Sequence, residues 1–230
     1  MKKSTKKDWI TKLKPSIWTE HPIAIDSYDH IHPYGTKDDN SKNIDYVDEL
    51  ISIFGQDMRY LDLGCSGGGF VSQFVKDRGV FAVGIEGSDY SKNIGRAEWS
   101  VIPEYLFTAD ITKTFIILDD NDIGSEMVPI GFDVISAFDV LEHIKKEDFP
   151  QLFTNIDVHL KQTGILVLGI ATIECGPWHP TVQNEEWWKS CLQYYGYEPT
   201  IDLVNFGRET MGLWGTFKRI RNNKNIGRLK

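Results

Sequence analysis

Between residues 44 and 172, short apolar runs of strand length alternate with stretches whose apolar positions recur at helical spacing. "NIDYVDELISIF" sets Ile44, Val47, Leu50, Ile51 and Phe54 on one helical face. "YLDL" reads as a strand, followed by a helix carrying Phe70, Val71, Phe74 and Val75 and ended by Gly79. "VFAVGIE" predicts a second strand, "SKNIGRAEW" a helix, "EYLFTAD" a third strand and "FDVISAF" a fourth after the loop "DDNDIGSEMVPIG". From Lys146 to Lys161 the spacing of Phe149, Leu152, Phe153, Ile156 and Leu160 predicts a helix with Pro150 near its start, stopped by Gly164. "ILVLGIA" is then a fifth strand, "NEEWWKSCLQYYG" a helix ending at Gly196, and "PTIDLVNF" with "GLWGTFKRI" a closing hairpin. Residues 1–42, broken by Pro15, Pro22 and Pro33, read as an irregular segment and a candidate pocket cover. The expected organisation is therefore 1–42, one domain over 43–220, and a basic tail over 221–230.

Such alternation predicts an α/β fold, a parallel sheet with crossover helices on both faces. Near-continuous apolar strands such as "ILVLGI" suit burial on both sides. Ligands of such sheets sit outside the carboxyl ends of the strands. The loops that matter therefore begin at Asp62, Glu86, Asp110, Ala137 and Ala171.

The first of these loops, "LDLGCSGGGF", packs Gly64, Gly67, Gly68 and Gly69 into six residues at the start of a helix. Glycines let the backbone approach a ligand, and the helix N-terminus attracts negative charge. Glu86 ends the next strand, where a carboxylate can accept hydrogen bonds from ribose hydroxyls. A nucleoside-binding, Rossmann-like domain follows, and the residues then leave a fork. A dinucleotide loop wants glycine where Ser66 stands, while Asp62 before the first glycine suits a ligand with a cationic amine.

"LDLGCSGGGF" resembles the first motif, D-x-G-x-G-x-G, of the class I S-adenosylmethionine-dependent methyltransferases. The likeness continues in order through "VGIEGSD", "FTADIT", "FDVISAFDVLEHI" and "LKQTGILVLGI", with Ser66 as its departure. The resemblance implies a mostly parallel seven-stranded sheet with a C-terminal antiparallel hairpin, and S-adenosylmethionine as cofactor. It implies that Asp62 holds the methionine amino end and that Gly64, Ser66 and Gly68 shape the loop under the cofactor. Glu86 would grip the ribose, Gly87 and Ser88 would lie beside the adenine that Asp110 and Ile111 bind, and Ala137 and Phe138 would line the methionine arm.

Composition narrows the acceptor. A formal charge of −8 disfavours nucleic acid, and the chain lacks both a proline-bearing [DN]-P-P-[YFW] after strand four and a cytosine-attacking Pro-Cys, since Cys175 lies in "IECGPW". Small-molecule or glycan acceptors remain, with a hydroxyl oxygen as the expected site, and stretches such as "HPYGTKDDN" loosely resemble methyltransferases of sugar and cell-surface glycan genes. Removing a hydroxyl proton calls for a base, for which His179 in "GPWHPTV" is preferred over His143 in "VLEHI". One of Trp187 and Trp188 is a candidate pocket wall. Asp139 and His143 alone do not make a metal site, and none is expected. The alternatives are an NAD-dependent oxidoreductase and a non-catalytic cofactor-binding module.

Three cysteines without a CxxC pair suit free thiols, and no apolar run after the N-terminal lysines suggests a leader. A cytoplasmic monomer or homodimer, with no membrane partner, is the expectation. The basic ends read as solvated.

Overall fold

A computed structural model describes residues 13–121, 127–204, 207 and 212–220. The basic tail, the lysine-rich opening and residues 205–206 of the expected hairpin lie outside the described residues. The strands in chain order are β1 Pro15–Thr19, β2 Arg59–Leu63, β3 Phe81–Glu86, β4 Leu106–Thr108, β5 Phe115–Asp119, β6 Phe132–Phe138, β7 Leu160–Ala171, β8 Tyr197–Pro199 and β9 Gly212–Arg219. Seven of them form one sheet in the order β4-β3-β2-β6-β7-β9-β8. The first five run parallel; β9 pairs antiparallel with both β7 and β8. This is the Rossmann-like, mostly parallel sheet with a C-terminal antiparallel pair that the sequence predicts.

Every residue of β3 is buried, as are the last eight of β7, because helices cover both faces. Side chains alternate between two apolar clusters: Leu61, Val83, Ile135 and Leu166 enter one, Tyr60, Ala82, Val134 and Val167 the other. The helices α1 Tyr28–Ile31, α2 Tyr34–Asp38, α3 Ile44–Phe54, α4 Gly69–Ser72, α5 Tyr90–Asn93, α6 Phe149–His159 and α7 Glu185–Tyr194 complete the layers. α3 starts where the Asn43 side chain accepts the Tyr46 N–H and stops at Gly55; its Tyr46, Val47 and Leu50 are buried. α4 runs on as a π-helical segment, Gln73–Arg78, closed by Gly79 at φ +65°. α6 and α7 press Leu152, Ile156, Trp188 and Leu192 onto the other face.

Four expectations change. The stretch 1–42 is not irregular over its described part. β1 pairs antiparallel with β5 in a separate two-stranded sheet, and α1 and α2 follow. The apolar runs "SIW" and "FIIL" were the missed signal. The helix expected over "SKNIGRAEW" is only the single turn α5, since Gly95 and Ala97 take positive φ of +60° and +49° and reverse the chain. The third strand shrinks to Leu106–Thr108 behind a 3₁₀ turn at Pro103. The closing hairpin pairs β8 at 197–199 with β9, so most of "PTIDLVNF" is connection. Among the described residues, no helix is long and apolar enough to cross a membrane.

Candidate functional site

A cleft of about 880 Å³ opens at the carboxyl ends of β2, β3, β4, β6 and β7, roofed by the segment before α3. Gly64, Ser66, Glu86, Gly87, Ser88, Asp110, Ile111, Phe138, His143 and His179 all line it. Asp62, Gly68 and Ala137 do not; they lie buried in the layer beneath. Neither tryptophan of the 187–188 pair lines it either: Trp188 is fully buried in the core and Trp187 packs edge-on against it. The aromatic wall is Trp178, whose ring meets Tyr28 at 4.6 Å and Tyr34 at 5.8 Å between centroids.

The loop after β2 is bent tightly. Gly64 sits at φ +73°, and a Cβ there would stand 2.4 Å from Val140 Cγ2, so only glycine lets the loops after β2 and β6 touch. Ser66 also adopts a left-handed φ of +46°, although it carries a side chain. Its hydroxyl lies 3.0 Å from the Thr36 carbonyl and 2.9 Å from that of Asp39, and it accepts from Arg96 Nη2 at 3.0 Å. The departure from the glycine motif therefore ties the loop to its roof. Arg96 also donates to both of those carbonyls, and Trp99 Nε1 donates to the Ser66 carbonyl at 2.8 Å, so the broken α5 region clamps the same loop.

Glu86 ends β3 with one oxygen accepting the Ser66 N–H at 2.8 Å and the other the Ser88 N–H at 3.1 Å. Burial pushes this carboxyl above its ordinary range, although those N–H groups pull the other way. Under the loop, Asp62 Oδ1 accepts from Ser136 Oγ at 2.7 Å, and that hydroxyl also meets Tyr60 at 2.6 Å. Burial pushes Asp62 up to about 7, with the charges of Asp39 and Glu86 adding to the rise. Asp110 Oδ1 accepts from the Thr112 N–H and hydroxyl, which fixes its carboxylate at the cleft wall. The lining carries nine carboxylates against two lysines. Such a cavity attracts cations.

At the far end, the 3₁₀ turn Leu141–His143 and the segment after β7 meet. His143 Nδ1 lies 2.8 Å from Asp29 Oδ2, and its ring stands 4.7 Å from that of His179 at 74°. Burial lowers the His143 pKa, but the hydrogen bond and charge of Asp29, with Glu142 and Asp139, outweigh it and hold the ring above the usual histidine range. His179 Nδ1 faces the Ile173 carbonyl at 2.8 Å. Glu142 is fully buried; its Oε1 accepts the Ala171 N–H at 2.8 Å, and burial pushes the group up to about 7. Glu142, His143 and His179 each bring one donor atom within 4.8 Å of the others. Sequence reasoning saw the two histidines, passed over Glu142 and missed Asp29, which no motif marks and which only the fold carries to His143.

The model of a protein family described as a methyltransferase domain matches residues 36–207. A curated ubiquinone biosynthesis O-methyltransferase from Pseudomonas fluorescens is 27% identical over 107 residues, 46% of this chain and 41% of that protein. A Stutzerimonas stutzeri protein of the same name is 29% identical over 105 residues, and the chain spans about two-fifths of the length of these relatives. Among solved structures, the Burkholderia thailandensis 1,6-didemethyltoxoflavin-N1-methyltransferase, with bound 1,6-didemethyltoxoflavin and S-adenosylhomocysteine, aligns over 84% of each chain with a TM-score of 0.54 and 12% identity. An S-adenosylmethionine-dependent methyltransferase from Clostridium acetobutylicum aligns over 83% of this chain and 93% of that one, with a TM-score of 0.51 and 14% identity.

Proposed function

We propose that this chain, which belongs to the methyltransferase-domain family, is an S-adenosylmethionine-dependent enzyme that methylates a hydroxyl oxygen of a small-molecule or glycan acceptor. The observation that carries this reading is one cleft with two chemically different ends. Glu86 and Asp110 offer acceptors at one end, and the His143–His179 pair stands at the other. The match to O-methyltransferases over part of the chain supports oxygen as the acceptor atom. The NAD alternative falls with the family match.

The donor set fits the cofactor. Glu86, already fixed by two backbone N–H groups, keeps lone pairs for ribose hydroxyls, and Asp110 keeps Oδ2 for an amine. Asp62 lies beneath, its ionisation favoured once an ammonium approaches. The cofactor supplies an activated methyl group on a sulfonium. The chain's own task is to position the acceptor in line and let its proton leave. With the cofactor bound, its sulfonium would supply the methyl to the acceptor oxygen, and the hydroxyl proton would leave at the histidine end. Because the Ile173 carbonyl can only accept, neutral His179 carries its proton on Nδ1 and keeps a lone pair on Nε2. His143 is tied to Asp29 and held protonated over a wider pH range, which favours His179 as the group at the acceptor oxygen.

Thermal stabilisation by S-adenosylhomocysteine but not NAD, with S-adenosylhomocysteine release on a panel of phenols and sugars, tests the reading. Release only with amines would overturn the hydroxyl assignment.

A further inference from the structure

We propose that Glu142, His143 and His179 bind a divalent cation of borderline softness, such as Zn²⁺ or Co²⁺, at the acceptor end of the cleft. The inference rests on the acceptor end as read above and deepens it: His179 contributes as a ligand that lowers the acceptor's proton affinity, rather than by taking the proton itself. Three independent features lead here.

The first is the donor set. Two imidazoles and one carboxylate, each with a donor atom within 4.8 Å of the others, form the composition of an open zinc site. A tetrahedral site with ligands about 2.0–2.2 Å from the metal spaces them roughly 3.3–3.6 Å apart. Closing that gap takes a shift of about an ångström, within reach of His179, which projects from a half-exposed segment.

The second is the outer shell. Both imidazoles have Nδ1 spent on an oxygen that can only accept, the Asp29 carboxylate for His143 and the Ile173 carbonyl for His179. That leaves Nε2 of each ring to face a cation, with His143 giving up its second proton as the ion binds. A carboxylate or carbonyl behind the ring is the arrangement that fixes the tautomer of metal-bound histidines. The segment is also tied in place: the Thr181 N–H donates to the Glu142 carbonyl, and its hydroxyl donates to the Ile144 carbonyl at 2.7 Å.

The third is an unpartnered buried oxygen. Glu142 is fully buried, its Oε1 held by the Ala171 N–H, and its Oε2 has no hydrogen-bond partner among the described residues. A buried carboxylate oxygen without a partner is costly. The surrounding lining, with nine carboxylates against two lysines, carries more negative charge than those lysines and the adjoining His143 offset. A bound divalent ion satisfies the free oxygen and the local field together.

The test uses the full chain, stripped with chelator and dialysed. Calorimetric titration with Zn²⁺ is expected to show a site that His179→Ala and His143→Ala each weaken at least tenfold. Co²⁺ is expected to give a visible band characteristic of nitrogen–oxygen coordination, absent in both variants. Glu142→Gln, which preserves shape, is expected to weaken Zn²⁺ as well. Circular dichroism and S-adenosylhomocysteine affinity within threefold of wild type show that each variant is folded. Equal Zn²⁺ affinity in wild type and variants, or no binding by a wild type that binds S-adenosylhomocysteine, overturns the site. Failure to bind S-adenosylhomocysteine would instead overturn the cofactor reading, whatever Zn²⁺ does.

Discussion

At the end of the cleft proposed for the cofactor the wall is mostly backbone, while at the end proposed for the acceptor it is mostly side chain. Around Glu86 the contacts are amides of Ser66 and Ser88 and a glycine turn braced on Val140. At the histidine end Asp29 meets His143, Tyr28 meets Trp178 and Glu142 stands by the two histidines, side chains brought from the segment before α3 and the loops after β6 and β7. Backbone walls are shaped by where strands end, so they serve one constant ligand. Side-chain walls can be rebuilt without moving the sheet, so they set the acceptor. If this division is real, damage at one end should leave the other end's readout alone.

The largest expected effect is at the acceptor end. His179→Ala should lower kcat at least a hundredfold, since a positioned acid–base or ligand group typically contributes 10²–10⁴-fold. Affinity for S-adenosylmethionine, measured by calorimetry, should stay within about threefold. Loss of cofactor binding in this variant would show that the two ends are one unit and dissolve the comparison.

Glu86→Ala makes the reciprocal cut. It removes the proposed acceptor of ribose hydroxyls, and charged hydrogen bonds are each worth about 1.5–3 kcal/mol. Cofactor binding should weaken at least tenfold. The Ser66 and Ser88 amides also lose their partner, so the melting temperature should fall by several degrees. Unchanged calorimetric affinity would remove Glu86 from the site.

This contrast also explains what the sequence made legible. Gly64, Glu86 and Asp110 stand out because a strand end and a glycine turn recur at fixed spacing, and the structure puts them on one wall. The sheet was legible for the same reason: buried strands need apolar runs such as "ILVLGIA". β1 was not, because its partner β5 lies about 100 residues away and neither strand announces the pairing. Asp29 was invisible because it matters only through a contact with His143 across 114 positions. Trp187 and Trp188 misled, because helical spacing with Leu192 marks a core face, and the wall is built instead by Trp178 in a loop.

A smaller effect is expected for Trp178→Ala. Its ring packs with Tyr28, Tyr34 and His32, and its Nε1 donates to the His32 carbonyl at 3.2 Å. Removing it loosens the roof over the acceptor without touching Glu86. KM for whichever acceptor turns over should rise roughly threefold to tenfold, about 0.7–1.4 kcal/mol by the tenfold-per-1.4 rule, with cofactor affinity unchanged. A drop in kcat with KM constant would mean the ring orients the reacting atoms.

The smallest effect links the two ends through buried charge. Asp62 has its pKa pushed from 3.8 to about 7, chiefly by burial and further by Asp39 and Glu86. A carboxyl whose folded-state pKa is raised favours folding when protonated. Its contribution is full below about pH 4 and is lost as pH rises through about 7. Glu142, raised to about 7 by burial, acts in the same direction from the acceptor end. The cofactor-free protein should therefore lose stability between pH 5 and pH 8 where most proteins hold level. Relaxation and water entering the open cleft trim the loss to about 1 kcal/mol per group, or 2–4 °C. Asp62→Asn cannot ionise, so its melting temperature should fall less over the same interval. Adding S-adenosylmethionine, with its ammonium and sulfonium, should flatten the wild-type profile, because a cation restores the ionised form's footing. A wild-type profile that is flat without ligand, or an Asp62→Asn profile as steep as wild type, would show that the carboxyl beneath the glycine turn is already ionised and compensated within the fold.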